Sequence, residues 1–236
     1  MQTNMLNYTC SLIMMVEPSQ SGLEKSLQKV QLIQYCMNII RHKYKQSSLV
    51  DNLTQIFEPY ILKCRPGDWD HAKRVVFWVK ELAGKRKDLD LLIMAGYIHD
   101  IGWSGLIPDG LKLSREQLLK LQPQADKQTD ILVRDVLSGF HLSEDDIETI
   151  LRLIKATETY ESNEEDEIIL VDADNLSKTS PDHIKEKYAK SDWLNMCDLF
   201  EEKLPLRIKT DQAKKLLPAK LIECRKILES ELKLSQ

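Results

Sequence analysis

The sequence predicts an all-α protein, a single compact bundle of many helices with a candidate metal site in its helical core. Three observations carry this reading. Apolar residues recur at helical spacing, as in Leu27, Val30, Ile33, Met37 and Ile40, or in Ile147, Ile150, Leu151 and Ile154. Eight glycines and eight prolines in 236 residues leave little room for a turn-rich β architecture. Charged residues make up 30% and aromatics only 6%, which suits helices built on Leu, Ile, Lys and Glu.

Taken in order, residues 1–22 show no sustained period and end in Pro18-Ser19-Gln20-Ser21-Gly22. They are expected to form a poorly ordered leader, with residues 23–236 as the helical domain. A first helix is expected over Leu23 to Lys45, broken by Ser47-Ser48, and a second from Leu49 to Cys64. Arg65-Pro66-Gly67-Asp68 reads as a turn, with Asp68 as N-cap of a helix from Trp69 to Leu82 that Gly84 closes. His71 shares its face with Val75 and Val79, so it is expected to point inward or towards a cleft.

Asp88 to Asp100 reads as the core helix, because Leu91-Leu92-Ile93-Met94 leaves it no solvent face. Gly102 is expected to end it. Trp103 to Leu113 is a loop, long enough beside a site to serve as lid or pocket wall. Ser114 and Gln117 have capping-box spacing and open the next helix. Pro123 is expected to interrupt that helix, with a new one from Asp126 to Ser138. Ser143 and Asp146 cap an amphipathic helix that runs to Glu158. A further helix holds Ile168 to Leu176, although its β-branched part also fits a short strand. Two or three helices follow Pro181, the last from Thr210 to Leu232.

A formal charge of −4 and a pI near 5.8 give no electrostatic footprint for nucleic acid. The five cysteines are scattered, with no CxxC spacing, which points to reduced thiols and a cytoplasmic setting rather than a zinc knuckle or disulfide framework. The only apolar patch near the N-terminus, Ser11 to Val16, is too short and wrongly flanked for a signal peptide or membrane span.

The chemistry converges on the apolar helices. His99 and Asp100 lie in sequence at the end of the most buried one, a nitrogen ligand beside a carboxylate. Burying an unpaired carboxylate is costly, and a metal ion removes that cost. With His71, and Asp172 or Asp174, two imidazoles and two carboxylates make a mixed nitrogen and oxygen set. Such a set suits manganese, iron, cobalt or nickel, with magnesium as a further candidate.

This order resembles the HD-domain metal-dependent phosphohydrolase superfamily. The matching segments are Asp70-His71-Ala72-Lys73-Arg74-Val75, then His99-Asp100-Ile101-Gly102, then Ala173-Asp174-Asn175-Leu176, within roughly residues 50–210. The resemblance implies an HD-domain bundle with His71, His99, Asp100 and Asp174 as ligands to one divalent transition metal. Asp174 is preferred to Asp172 because the family's last Asp follows an Ala. The implied activity is hydrolysis of a nucleotide or other small phosphorylated metabolite, with Asp100 orienting or deprotonating the attacking water. Arg74, three residues after His71, and Lys178, four after Asp174, are candidate phosphate contacts by spacing, and Trp103 is a candidate substrate contact.

Two departures from the pattern stand out. Dinuclear members carry extra histidines between the His-Asp pair and the last Asp, but this chain has only His141 there, with Ala125 and Thr157 near the expected places. One metal is therefore expected, and dinuclear oxygenase chemistry is disfavoured. Some nucleotidases carry an acid where Trp103 stands, which leaves a non-catalytic scaffold or regulatory module that keeps the metal site as the alternative. His42, His141 and His183 lie in polar segments and are expected to face solvent.

Overall fold

The computed structural model describes residues 53–108 and 110–234. The expected leader, the helix of Leu23 to Lys45 and His42 lie outside them. Among the described residues there are helices and short 3-10 turns and no strand. We label the helices α1 (53–61), α2 (Asp68–Ala83), α3 (Leu89–Ile98), α4 (Arg115–Leu137), α5 (Glu144–Thr159), α6 (Glu165–Ser177), α7 (Pro181–Lys187), α8 (Trp193–Arg207) and α9 (Asp211–Lys233).

The bundle is organised around α6, which is buried almost throughout from Ile169 to Ser177. It packs against α2, α3 and α5 on one side and meets α8 and α9 on the other. The run that also fitted a strand is thus helical, because the backbone of a segment enclosed by helices must bond to itself. Helix α3 is buried from Leu92 to Ile98, as its unbroken apolar sequence requires. A second apolar cluster joins Leu176 and Ile184 to Phe200, Leu204, Leu217 and Leu228, and so fastens α8 and α9 to the core.

Several local expectations are corrected. Asp68 is not an N-cap: Gly67 holds that place with φ 79°. A Cβ on Gly67 would also lie 2.5 Å from Glu186 Cβ, so the turn needs glycine on two counts. Helix α3 stops at Ile98, leaving His99 and Asp100 in the turn into a 3-10 segment, Ile101–Trp103. Gly102 does not end a helix but lies inside that segment, where a Cβ would meet Thr129 Oγ1 at 2.3 Å and Ala125 O at 2.6 Å. It is a close-approach glycine that lets the site loop touch α4. Pro123 does not break α4, which runs unbroken through it. Pro123 and Leu119 are both exposed, so the carbonyl that loses its partner faces water.

The two capping boxes predicted at Ser114/Gln117 and Ser143/Asp146 are present with both reciprocal bonds. Asp172 is not among the converging site residues. It is fully buried and its carboxylate accepts from the backbone N–H of Lys209 at 2.9 Å and of Thr210 at 2.7 Å. It thereby ties α6 to the start of α9. Asp172 and Asp174 are two residues apart, about 200° around a helix, so one faces the α9 junction and the other the site.

Candidate metal centre

Three helices deliver the site. His71 comes from the first turns of α2, His99 follows the last turn of α3, and Asp174 projects from the last turn of α6; all three are buried. His71 Nε2 lies 3.2 Å from His99 Nε2 and 3.1 Å from Asp174 Oδ1. One ligand atom from each residue falls within 4.8 Å of the others.

Hydrogen bonding fixes both tautomers. His99 Nδ1 is 2.9 Å from the carbonyl oxygen of Gly96, which can only accept, so Nδ1 carries the proton. His71 Nδ1 is 2.9 Å from Ser177 Oγ, and Ser177 gives its own hydroxyl proton to Asp174 O at 2.7 Å. Ser177 therefore accepts from His71, and that imidazole is also protonated on Nδ1. Burial above all, and then Lys187, push the His71 pKa well below its ordinary value, so the ring is neutral.

The two Nε2 atoms consequently face each other, with a carboxylate oxygen beside them. Asp174 Oδ1 is buried and receives no hydrogen bond. Lys178 occupies the other oxygen at 2.5 Å. Burial acts to raise the Asp174 carboxyl, but Lys178 and the neighbouring histidines together hold it below its ordinary value. Two imidazole nitrogens and a carboxylate oxygen held this close together have the spacing of a cation site. Two imidazole nitrogens and a carboxylate oxygen fit a divalent transition ion, and the fixed Nδ1–H groups are the usual outer support of such ligands.

Asp100 stands at the edge of this cluster. Its Oδ2 is 3.5 Å from His99 Nε2 and 3.8 Å from His71 Nε2. The same oxygen pairs with Arg65 at 2.5 Å and Lys187 at 3.5 Å. Both cations also hold Asp68, giving a half-buried ring of two acids and two bases around the fully buried Asp68. Burial acts to raise the Asp100 carboxyl, but Arg65, with help from Lys187, holds it well below the usual carboxylate range.

The cluster opens into a cavity of about 400 Å³. Lys178 and Trp103 line it, as do Ala125 and Thr157. Trp103 is buried, with Arg65 4.5 Å over its ring, so it supports the cation that holds Asp100. Arg74 is not among the lining residues; it forms a two-point ion pair with Glu186 at 2.7 and 3.4 Å. His141 is exposed, as expected.

His183 overturns its expectation of facing solvent. It is 2% exposed, lies 4.7 Å from the His71 ring, lines the cavity, and leaves Nδ1 without a partner. The polar sequence of α7 hid it; the usable signal was its spacing of four from Lys187, which lines the same cavity. Arg65 and Ser177 were likewise missed, because a turn residue and a small polar residue carry no periodic signature.

No curated protein and no solved structure matches the chain. Residues 68–179 match the family model of the HD domain, a family made up mostly of metal-dependent phosphohydrolases. That span begins at the buried acid of the charge ring and includes His71, His99, Asp100 and Asp174. The all-α architecture and the His71–His99–Asp174 cluster agree with the match.

Proposed function

We propose that the protein is a metal-dependent phosphohydrolase acting on a nucleotide or another small phosphorylated metabolite. The observation that carries this reading is the convergence of two Nε2 atoms and one carboxylate oxygen at the floor of a cavity. The cavity wall supports an anionic substrate: seven lysines and arginines line it against four carboxylates, Asp100, Asp126, Glu158 and Asp174. This local excess of positive charge stands against a chain whose net charge is −4.

His71, His99 and Asp174 would hold one manganese, iron, cobalt, nickel or magnesium ion, with Asp100 as the fourth ligand or its neighbour. When bound, such an ion polarises a phosphoryl oxygen and lowers the pKa of a water molecule. Asp100, kept ionised and aimed by Arg65 and Lys187, accepts a hydrogen bond from the attacking water and so orients it. Lys178 and Lys187 supply positive charge beside the cluster for the phosphoryl oxygens. Trp103 keeps Arg65 in place and walls the site from bulk water.

The test is a screen of phosphorylated metabolites after separate loading with each of these ions. Release of phosphate that disappears in Asp100→Ala supports the reading. Stable metal binding with no phosphate released from any compound contradicts it, in favour of the non-catalytic binding module.

A further inference from the structure

Arginines are expensive to leave unpaired where water is scarce, and this protein pairs most of those described. Eight arginines lie among the described residues, and six of them form ion pairs with carboxylates. The two without a carboxylate partner, Arg115 and Arg207, both line the cavity. Arg115 is exposed at the start of α4, whereas Arg207 is half-buried at the end of α8.

Arg207 is also positioned. Its guanidinium carbon sits 3.6 Å over the ring centroid of Tyr160. Tyr160 is the one non-glycine residue among those described with a positive φ, 58°. A bulky residue in that region is strained, so the surrounding structure holds this ring where it is against a local preference. The same ring lies 5.0 Å from Lys178 Nζ, and its hydroxyl is 3.4 Å from that nitrogen. Lys178 in turn bonds Asp174 of the candidate metal cluster. A continuous path therefore runs from the cluster through Lys178 and Tyr160 to a guanidinium whose fork of N–H donors has no acceptor. A planar fork of that kind matches a carboxylate or phosphate.

We propose that Arg207, seated on Tyr160, is a second anion subsite of this cavity, and that the substrate is a doubly anionic metabolite. One phosphate lies at the His71–His99–Asp174 cluster, and a second phosphate or a carboxylate lies on Arg207. The proposal rests on the reading of the cavity as a phosphohydrolase site. Arg207 is a specificity determinant and takes no part in bond breaking.

The experiment is calorimetric titration of the manganese-loaded full chain with alkylphosphonates of three to six carbons. These probes end in a methyl group, a carboxylate or a second phosphonate, and none can be hydrolysed. At least one doubly anionic member is expected to bind about tenfold tighter than its methyl-ended counterpart. Arg207→Met is expected to reduce that preference to within about twofold and leave the methyl-ended affinity unchanged, with Arg207→Lys recovering part of it. Which end group is preferred separates phosphate from carboxylate. Thermal unfolding of each variant identifies any loss due to folding, which would lower all affinities together. A wild-type protein with no preference, or a preference that survives in Arg207→Met, overturns the subsite while binding of the methyl-ended probe preserves the phosphohydrolase reading. Binding of no probe overturns both. A preference that depends on Arg207, without turnover of any phosphate ester, keeps the subsite and removes the hydrolase.

Discussion

His71 and His99 present their Nε2 atoms to each other at 3.2 Å, and each ring has a hydrogen-bond partner for its Nδ1 on the far side. Gly96 O and Ser177 Oγ take the protons to the far side of each ring. A pair whose protons are both turned away is arranged for a cation.

The outer support of His71 gives a first prediction. Ser177→Ala removes the acceptor that holds the Nδ1 proton, so the ring is free to change tautomer and rotate. Metal affinity should fall about 10- to 100-fold, with the helical content unchanged. Competition against a chelating indicator measures it.

Asp172 and Asp174 should separate cleanly. Asp172→Ala strips two backbone N–H groups at the start of α9 of their acceptor, at a cost of about 1–3 kcal/mol per group left unsatisfied. Its metal content should stay that of the wild type. Asp174→Asn should lose the metal. Denaturant unfolding together with metal analysis of both variants checks the pair.

Acid sensitivity follows from Glu167 at the start of α6. Burial raises its carboxyl, but the N–H groups of Asn163 and Glu164 and the Arg152 guanidinium outweigh that and lower its pKa below the ordinary 4.5. A carboxyl lowered on folding stabilises the folded state above its unfolded-state pKa. That stabilisation drains away as pH falls through the lowered value. Glu167→Gln should therefore be less stable than wild type at neutral pH by about 0.5–2 kcal/mol. The difference should shrink steadily below pH 4.5. Unfolding curves at a series of pH values report it.

His183, buried against His71 with an unpartnered nitrogen, should tolerate His183→Asn with the metal retained, since it is not one of the three converging groups. Loss of metal in that variant, measured beside His71→Asn, would place His183 among the ligands instead.

Much of this architecture was legible in the chain because it rests on local pattern. An apolar run with no polar face, such as Leu91 to Met94, can only be a core element, so the His99-Asp100 pair that follows it was bound to be near the interior. The capping boxes at Ser114 and Ser143 are written in four residues each. What local pattern could not supply is partnership across distance. Arg65 reads as a turn residue until Asp100 is brought to within 2.5 Å of it. His183 reads as solvent-facing until α7 is folded over α2 and the ring meets His71. Periodicity places Asp172 and Asp174 on opposite sides of a helix, but only the packing of α9 shows which side holds a junction and which the site. Pro123 was misjudged for a different reason, since the cost of a proline depends on whether the abandoned carbonyl meets water.

The measurement to make is elemental analysis of the full chain, loaded in turn with manganese, iron, cobalt, nickel and magnesium and then dialysed, beside His71→Ala and His99→Ala. The account predicts about one ion per wild-type chain for at least one of these metals. It also predicts a higher unfolding temperature in the loaded protein, by mass action, and neither effect in the variants. A wild-type chain that retains no ion under any of these conditions, or variants that retain it equally, would contradict the assignment of the site.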